Sequence, residues 1–452
     1  MSNTASVNPG RGQVPSPVAT VEPLEAETIR RVAWRLVPLL IVGYFCNFID
    51  RNNVGFAALT MNKAIGLSAT AFGFGAGMFY LGYLLFEVPS NLILAKVGAR
   101  RWMARILFTW GIIAGLTAFA WNDWSFAGIR FLLGLAEAGF FPGVLIYLTW
   151  WFPSYYRARM VAYFMTAQMI SLSVGPPLSA WLLTWDGLFG LQGWQILFLI
   201  EALPALIMSV VFWCYMTDRP RDAKWLRPEQ AEWLQRRLDS ETAQREAVHR
   251  YGVVEALLNG RVWLFVVIYF GYCSANTVIA FFLPQIVKAF GVSIQMTGYI
   301  SALPYLLGLV VMIYFSLRSD FSGNRVLYSA GAALVGSVGL AICSLVGAEH
   351  TVIMTIALIV GIASIQAFGP LFWPIPTALL SGFAAAGGVA LVNSVGNISG
   401  LIAPTVFGVL KDAAGGRDQI PLLVISFMPL VSAIVLVLVG HDRRLERIPS
   451  HA

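Results

Sequence analysis

Residues 34–59 read WRLVPLLIVGYFCNFIDRNNVGFAAL. As a helix this run is long enough to cross about 30 Å of hydrocarbon, yet Asp50 and Arg51 stand inside it. Further apolar runs follow near 72–95, 103–121, 124–150, 158–184, 193–217, 261–288, 295–317, 325–347, 351–378, 385–410 and 418–440. The pattern predicts an all-α membrane protein with twelve transmembrane helices. Composition agrees, because 58% of the 452 residues are hydrophobic and only 12% are charged. That is about half the charged share of soluble domains, too little to cover a water-soluble fold of this size.

The twelve runs divide into two sets of six. Lys96-Val97-Gly98-Ala99-Arg100-Arg101 follows the second run, and Asp320-Phe321-Ser322-Gly323-Asn324-Arg325 follows the eighth. A basic, glycine-containing turn at matching places predicts two six-helix bundles related by a pseudo-two-fold axis. The expected organisation is a polar, disordered tail over 1–32, a bundle over 33–217, a linker over 218–260, a second bundle over 261–440 and a tail over 441–452. Within the linker, Pro228 to Arg250, with Leu226, Trp233, Leu234 and Leu238 about it, predicts an amphipathic helix on the membrane surface.

The net charge of +7 is explained by its placement. If the N-terminus is cytoplasmic, 24 of the 30 Lys and Arg residues fall on the inner side, nine of them between Arg219 and Arg261. Lys63, Lys288, Lys411 and Arg417 fall outside, and Arg51 and Arg130 lie within spans. This asymmetry orients both termini to the cytoplasm. The basic excess is thus a topology signal and implies no nucleic-acid partner.

Cys46, Cys214, Cys273 and Cys343 are isolated in apolar runs, which implies packing and not a disulfide framework. His249, His350, His441 and His451 all lie outside the runs, so neither a histidine metal centre nor a histidine base is expected within the membrane. No cofactor or metal is implied. The chain contains no GxSxG, HExxH or GxxxxGK[ST], which argues against a polytopic membrane enzyme. Two unlike halves also offer no ring of equivalent groups for a channel filter.

Charge inside a span is costly and needs a reason. Six such residues occur, Asp50, Arg51, Glu87, Arg130, Glu137 and Glu201, all in the first half. Adjacent residues in a helix diverge by about 100°, so Arg51 can face a central cavity while Asp50 meets another helix. Arg130 and Glu137 are seven residues and about 10 Å apart on nearly one face, too far for a direct bond. Glu137 at mid-span suits reversible protonation, and Arg130 is positioned to neutralise Asp50. Glu87 shares a helical face with Tyr80 and Tyr83 and is expected to pair with Arg100 or Arg101; Tyr83 is expected to reach the cavity. Glu201 is expected to be structural. The second half supplies neutral polar groups at helical spacing, Tyr269, Tyr272 and Asn276, then Asn393 and Asn397. Trp373 stands between Pro370 and Pro374, a helix break of the kind tolerated beside a cavity. With Gln168 and Arg51, these groups suit a small organic anion.

Several segments together resemble the anion:cation symporters of the major facilitator superfamily, in the branch of bacterial organic-acid permeases. They are Asn47-Phe48-Ile49-Asp50-Arg51, Glu87-Val88-Pro89-Ser90-Asn91-Leu92, the stretch from Arg130 to Gly139 followed by Phe141-Pro142-Gly143, and Gly175-Pro176-Pro177-Leu178. The resemblance runs from Arg31 to about Arg444. It implies a carrier that alternates between inward-facing and outward-facing states, binds substrate between its halves and is driven by protons. Carried over by position, Arg51 resembles the substrate-carboxylate clamp, and Asp50 and Glu137 the protonatable pair. Tyr83, Gln168, Tyr272, Asn276, Trp373, Asn393 and Asn397 are the expected pocket. This sequence departs from the family's loop motif at Asn91 and Ala95, while Asp320 is kept in the second copy. It also has no arginine in the seventh span, where some relatives place one, so a single engaged carboxylate fits better than a doubly clamped dianion. The expected function is proton-coupled uptake of a small carboxylate by a monomer in the bacterial inner membrane. Anion exchange and sodium coupling are the rival modes.

Overall fold

The computed structural model describes residues 23–246, 260–346, 350–379 and 383–439. His249, His441, His451, most of the expected N-terminal tail, the C-terminal tail and the last residues of the expected surface helix lie outside them. The first bundle comprises α1 (Pro23–Ile65), α2 (Ala69–Val97), α3 (Ala99–Leu116), α4 (Asp123–Glu137), α5 (Phe140–Trp151), α6 (Ser154–Leu183) and α7 (Gly193–Tyr215). The linker carries α8 (Pro228–Glu246). The second bundle comprises α9 (Gly260–Lys288), α10 (Ile294–Ser322), α11 (Arg325–Leu345), α12 (Thr351–Phe372), α13 (Pro374–Leu379), α14 (Phe383–Ala413) and α15 (Gln419–Val439).

Among the described residues, eleven helical segments are long and apolar enough to cross a membrane. The twelfth crossing is α6, which has 30 residues and carries Arg157, Arg159, Gln168 and several serines. Each packing relation in the first bundle recurs in the second. Helix α1 packs on α6 and α7 as α9 packs on α14 and α15, α2 packs on α4 as α10 on α12, and α3 on α7 as α11 on α15.

Three local features differ from the reading of the sequence. Helix α1 already begins at Pro23, inside the expected tail, where Glu25 accepts a 3.0 Å hydrogen bond from the Tyr156 hydroxyl. The fourth span is two helices, broken at Ala138-Gly139. Gly139 has φ 89°, and a Cβ there would lie 2.2 Å from Ser90 Oγ, so the left-handed turn and the close approach both require glycine. The amphipathic helix buries Leu234 and Leu238 in the first bundle's own core, beside Leu226, so its apolar stripe is covered by protein.

The two bundles meet at the face opposite the linker, where α2 crosses α14, α6 crosses α10 and the outer half of α1 crosses α9. One apolar core spans both bundles here, with Phe56, Met61 and Phe72 from the first and Phe281, Phe282 and Phe407 from the second. The seam is backbone against backbone. A Cβ on Gly73 would lie 2.1 Å from the Pro404 carbonyl oxygen, and one on Gly298 would lie 2.8 Å from that of Pro176, the close approach that small residues allow between membrane helices. Asp412 of α14 closes the outermost layer by accepting from Ala69 N (3.0 Å), Thr70 N (2.8 Å) and Thr70 Oγ1 (2.6 Å) at the start of α2. All three are charge-assisted, and the two from backbone N–H satisfy otherwise unpaired groups at the helix start. Towards the linker the bundles part, and Leu309, Ile313 and Leu317 line the gap with exposures rising from 36% to 50% to 55%.

Candidate functional site: a central cavity with one guanidinium

Between the bundles lies a cavity of about 670 Å³. Its first-bundle wall carries Arg51 and Asn52 of α1, Tyr80 of α2 and Thr166 and Gln168 of α6; its second-bundle wall carries Tyr269, Tyr272, Cys273, Asn276 and Thr277 of α9, Gln366 of α12, Trp373, and Asn397 and Ser399 of α14. The size matches sites for small organic molecules.

Arg51 is the one charged residue among those lining the cavity. Its guanidinium, one-fifth exposed, donates to the Glu137 carboxylate, which is fully buried at the last residue of α4. The rings of Phe79, Phe48 and Tyr83 surround the same guanidinium at 5.0, 5.5 and 5.5 Å, an arrangement that holds a cation by its attraction to the ring faces. Glu137 is thereby placed behind Arg51, not in the cavity itself, and its second oxygen has no hydrogen-bond partner among the described residues.

Asp50, next in sequence, points the other way and accepts a 2.8 Å hydrogen bond from Trp110 Nε1 of α3, while its other oxygen has no hydrogen-bond partner among the described residues. Arg130 makes no direct bond to Asp50 among the described residues, though its charge acts on Asp50 across the interior. Arg130 is fully buried with its Cζ 5.2 Å from the Phe79 ring, and none of its three side-chain nitrogens has a hydrogen-bond partner among the described residues. It turns towards α2 while Asp50 turns towards α3. Arg130 and Glu137 make no direct bond, and the guanidinium that reaches Glu137 comes from α1.

Of the expected pocket residues, Arg51, Gln168, Tyr272, Asn276, Trp373 and Asn397 line the cavity; Tyr83 and Asn393 do not. Tyr83 sits behind Arg51, and Tyr80, about 60° away round the same helix, takes the cavity position. Asn393 is half-buried one turn nearer the linker than Asn397. The polar wall of the second bundle is itself organised, with Gln366 Nε2 donating to Asn276 Oδ1 at 2.8 Å. Tyr269 packs 4.8 Å from Trp373, and Tyr272 5.0 Å from Phe368. Gln366, the one amide side chain in α12, is the residue that sequence reading missed.

The outlying charges also differ from expectation. Glu87 forms no ion pair with Arg100 or Arg101 among the described residues. Arg100 instead donates from Nε to the Trp213 carbonyl at 2.6 Å and from its backbone N–H to Asp218 at 2.8 Å, because α3 starts against the end of α7. Asn91 donates to the Glu87 carbonyl at 2.8 Å, and Asp320 accepts from Arg325 at 2.9 Å. Glu201 is buried and accepts a 2.7 Å bond from Ser179. No cluster of three or more His, Cys, Asp or Glu among the described residues could hold a metal.

Comparison with known proteins gives the site a context. The sequence pattern of the Major Facilitator Superfamily matches residues 40–404. A protein of Agrobacterium vitis, provisionally named a tartrate transporter, is 44% identical over 419 residues, covering 93% of this chain and 92% of its own. A quinolone resistance transporter of Acinetobacter baumannii is 37% identical over 399 residues, covering 86% and 90%. Among solved structures, a bacterial homolog of the human lysosomal transporter Spinster, inward-facing and occupied, superposes with a TM-score of 0.72 at 15% identity, covering 89% of this chain and 96% of that one. That last likeness concerns the fold.

Proposed function

Because this chain belongs to the major facilitator superfamily and is a multi-pass membrane transporter, not an enzyme, we propose that it carries a small organic carboxylate inward together with protons. The observation that carries the reading is the Arg51–Glu137 pair at the cavity wall. One guanidinium serves two carboxylates, that of Glu137 and that of the substrate. A buried carboxylate stripped of its cation is costly, so a substrate that captures Arg51 favours a proton on Glu137, and loss of that proton returns Arg51 to Glu137 and expels the substrate. Binding and protonation are then linked without direct contact between substrate and proton. Asp50, buried with one free oxygen beside Trp110, is the second proton-binding group.

The distribution of positive residues supports a cytoplasmic linker face with both termini inside, and the bacterial relatives support an inner-membrane location. The face sealed by α2 and α14 is then external, and the conformation described is inward-facing, with Arg51 handed back to Glu137 as it would be after release. The two bundles, 33–217 and 261–440, rock about the seam while 218–260 ties them together. A monomer suffices, since one chain supplies both cavity walls. The name of the Agrobacterium vitis relative supports a carboxylic-acid substrate. Gln168, Tyr272, Asn276, Trp373 and Asn397 would bind the remainder of the anion, through hydroxyl-matching amides and aromatic faces.

The test is uptake into proteoliposomes of an organic acid chosen by thermal-shift screening. Glu137→Gln should bind substrate and support counterflow at equal pH, yet lose accumulation driven by a pH gradient. Accumulation against the substrate gradient by this variant would overturn the coupling. A dependence on sodium in place of the pH gradient, or transport only in exchange for a second anion, would favour the rival modes.

A further inference from the structure

Beyond the cavity, towards the sealed face, lies a small chamber of about 20 Å³ lined by α1, α6, α9 and α10. It shares Phe48, Asn52, Leu172, Ala280 and Tyr305 with the cavity, so a single layer of side chains divides the two. The volume holds about one water molecule, and the polar lining suits one: Asn52 and Asn53 of α1, Ser171 and Ser179 of α6 and Ser301 of α10. Two of these are buried and incompletely satisfied, Asn53 at Oδ1 and Ser301 at Oγ. Such unmet groups call for an explanation, and a bound water supplies it.

Ser179 joins this chamber to a carboxyl group. Its hydroxyl, 2% exposed and lining the chamber, donates to Glu201 Oε1 of α7 at 2.7 Å. Glu201 is 3% exposed, its Oε2 has no hydrogen-bond partner, and no cation pairs with it among the described residues. Helix α7 packs on α1, α3 and α6. The titratable group that faces Glu201 from these elements is Asp50 of α1, itself acidic; Ser179 of α6 and Asn53 of α1 are neutral hydrogen-bonding neighbours of its carboxyl. A buried carboxylate with a vacant oxygen, no counter-cation among the described residues and a second carboxyl as neighbour is strongly disfavoured in its charged form.

From this juxtaposition we infer that Glu201 is a third proton-binding group of the carrier, protonated in this conformation and exchanging its proton with the chamber through the Ser179 hydroxyl. Ser179 meets the carboxyl at Oε1, and the exchange runs through that contact. When the acid O–H turns to Ser179, its bond breaks as the Ser179 oxygen takes the proton and the Ser179 hydroxyl proton passes to water in the chamber, leaving carboxylate and hydronium; the carboxylate is reprotonated by the reverse relay, Ser179 giving its proton to Oε1 and taking one from the water. When the external face opens, the chamber opens with it, and Glu201 meets external protons before Glu137 does. The part Glu201 plays in the cycle rests on the proton-coupled reading above; its protonation does not.

Infrared spectroscopy of the purified full-length protein in lipid, with no substrate added, tests both. The parent should show the carbonyl stretch of buried protonated carboxylic acids, and Glu201→Gln, which keeps the Ser179 bond, should remove one component. Asp50→Asn should remove another, and Glu137→Gln should leave the Glu201 component in place. In D₂O that component should shift within the mixing time for the parent and at least tenfold more slowly for Ser179→Ala. A spectrum unchanged by Glu201→Gln, or one holding only ionised carboxylate bands, overturns the protonation. An exchange rate unaffected by Ser179→Ala overturns the route. Should Glu201→Gln fail to fold, Glu201→Asp decides, since it must move the same component in frequency. Proton coupling that fails in transport assays while these results stand refutes the function proposed earlier and not this site.

Discussion

Replacing Gly73 by alanine should open the external face. In the sealed seam the added methyl would lie 2.1 Å from the Pro404 carbonyl oxygen, whereas real Cβ contacts stay at or above 3.0 Å, so α2 and α14 must part by about 0.9 Å, the difference between those distances. The clashing atom is backbone and cannot swing away. Overpacking of this kind costs about 1–3 kcal/mol, and the cost falls on the sealed state alone, because the open state separates these helices. The ratio of open to sealed molecules should therefore rise about 5- to 150-fold. Spin labels at Lys63→Cys and Arg417→Cys, both exposed at this face and on opposite bundles, in a background lacking the four native cysteines, report it as a longer component in the distance distribution. A distribution identical to that of the Gly73 parent would refute the claim that backbone contact holds the face shut.

Asp412→Asn should act in the same direction but more weakly. It removes the charge from three hydrogen bonds at the start of α2, and about 1 kcal/mol, or fivefold in the same distance measurement, is expected at this exposed position. Arg51→Ala should lower thermal stability by the equivalent of about 3–5 kcal/mol, because it strands the buried Glu137 carboxylate. Adding Glu137→Gln to that variant should restore most of the loss, and a double variant no more stable than Arg51→Ala would contradict the pairing. Arg130→Met should leave substrate binding intact, since Arg130 is not among the residues lining the cavity; loss of binding by this variant would place Arg130 in the site.

Much of the fold was readable because a membrane span announces itself by length and apolarity alone. Helix α6 shows the limit of that signal: polar residues that serve the cavity lower its hydropathy, and only its place between two clear spans marks it as a crossing. Periodicity likewise tells which side chains share a helical face but not how that helix is turned within its bundle. This is why Tyr80, and not Tyr83, takes the cavity position, and why the Asp50–Trp110 bond is not legible from spacing. The Arg51–Glu137 pair joins residues 86 positions apart, and no spacing rule reaches so far. Glu201 was read as a structural group because its neighbours in sequence are apolar; Ser179, Asn53 and the chamber come from other helices. The break at Gly139 was hidden for a different reason, since an apolar run reads the same whether it is one helix or two.

The seam and the cavity are built from different parts of the residues that form them. At the seam, Gly73, Gly298 and the carbonyls of Pro404 and Pro176 meet as main chain, while the cavity is walled by side chains such as Gln168, Asn276 and Trp373. Exchanging one cavity side chain for another therefore changes what is recognised without disturbing the fit that makes the two halves close. Such a division lets one scaffold diversify its cargo through single substitutions while its mechanical cycle is inherited intact.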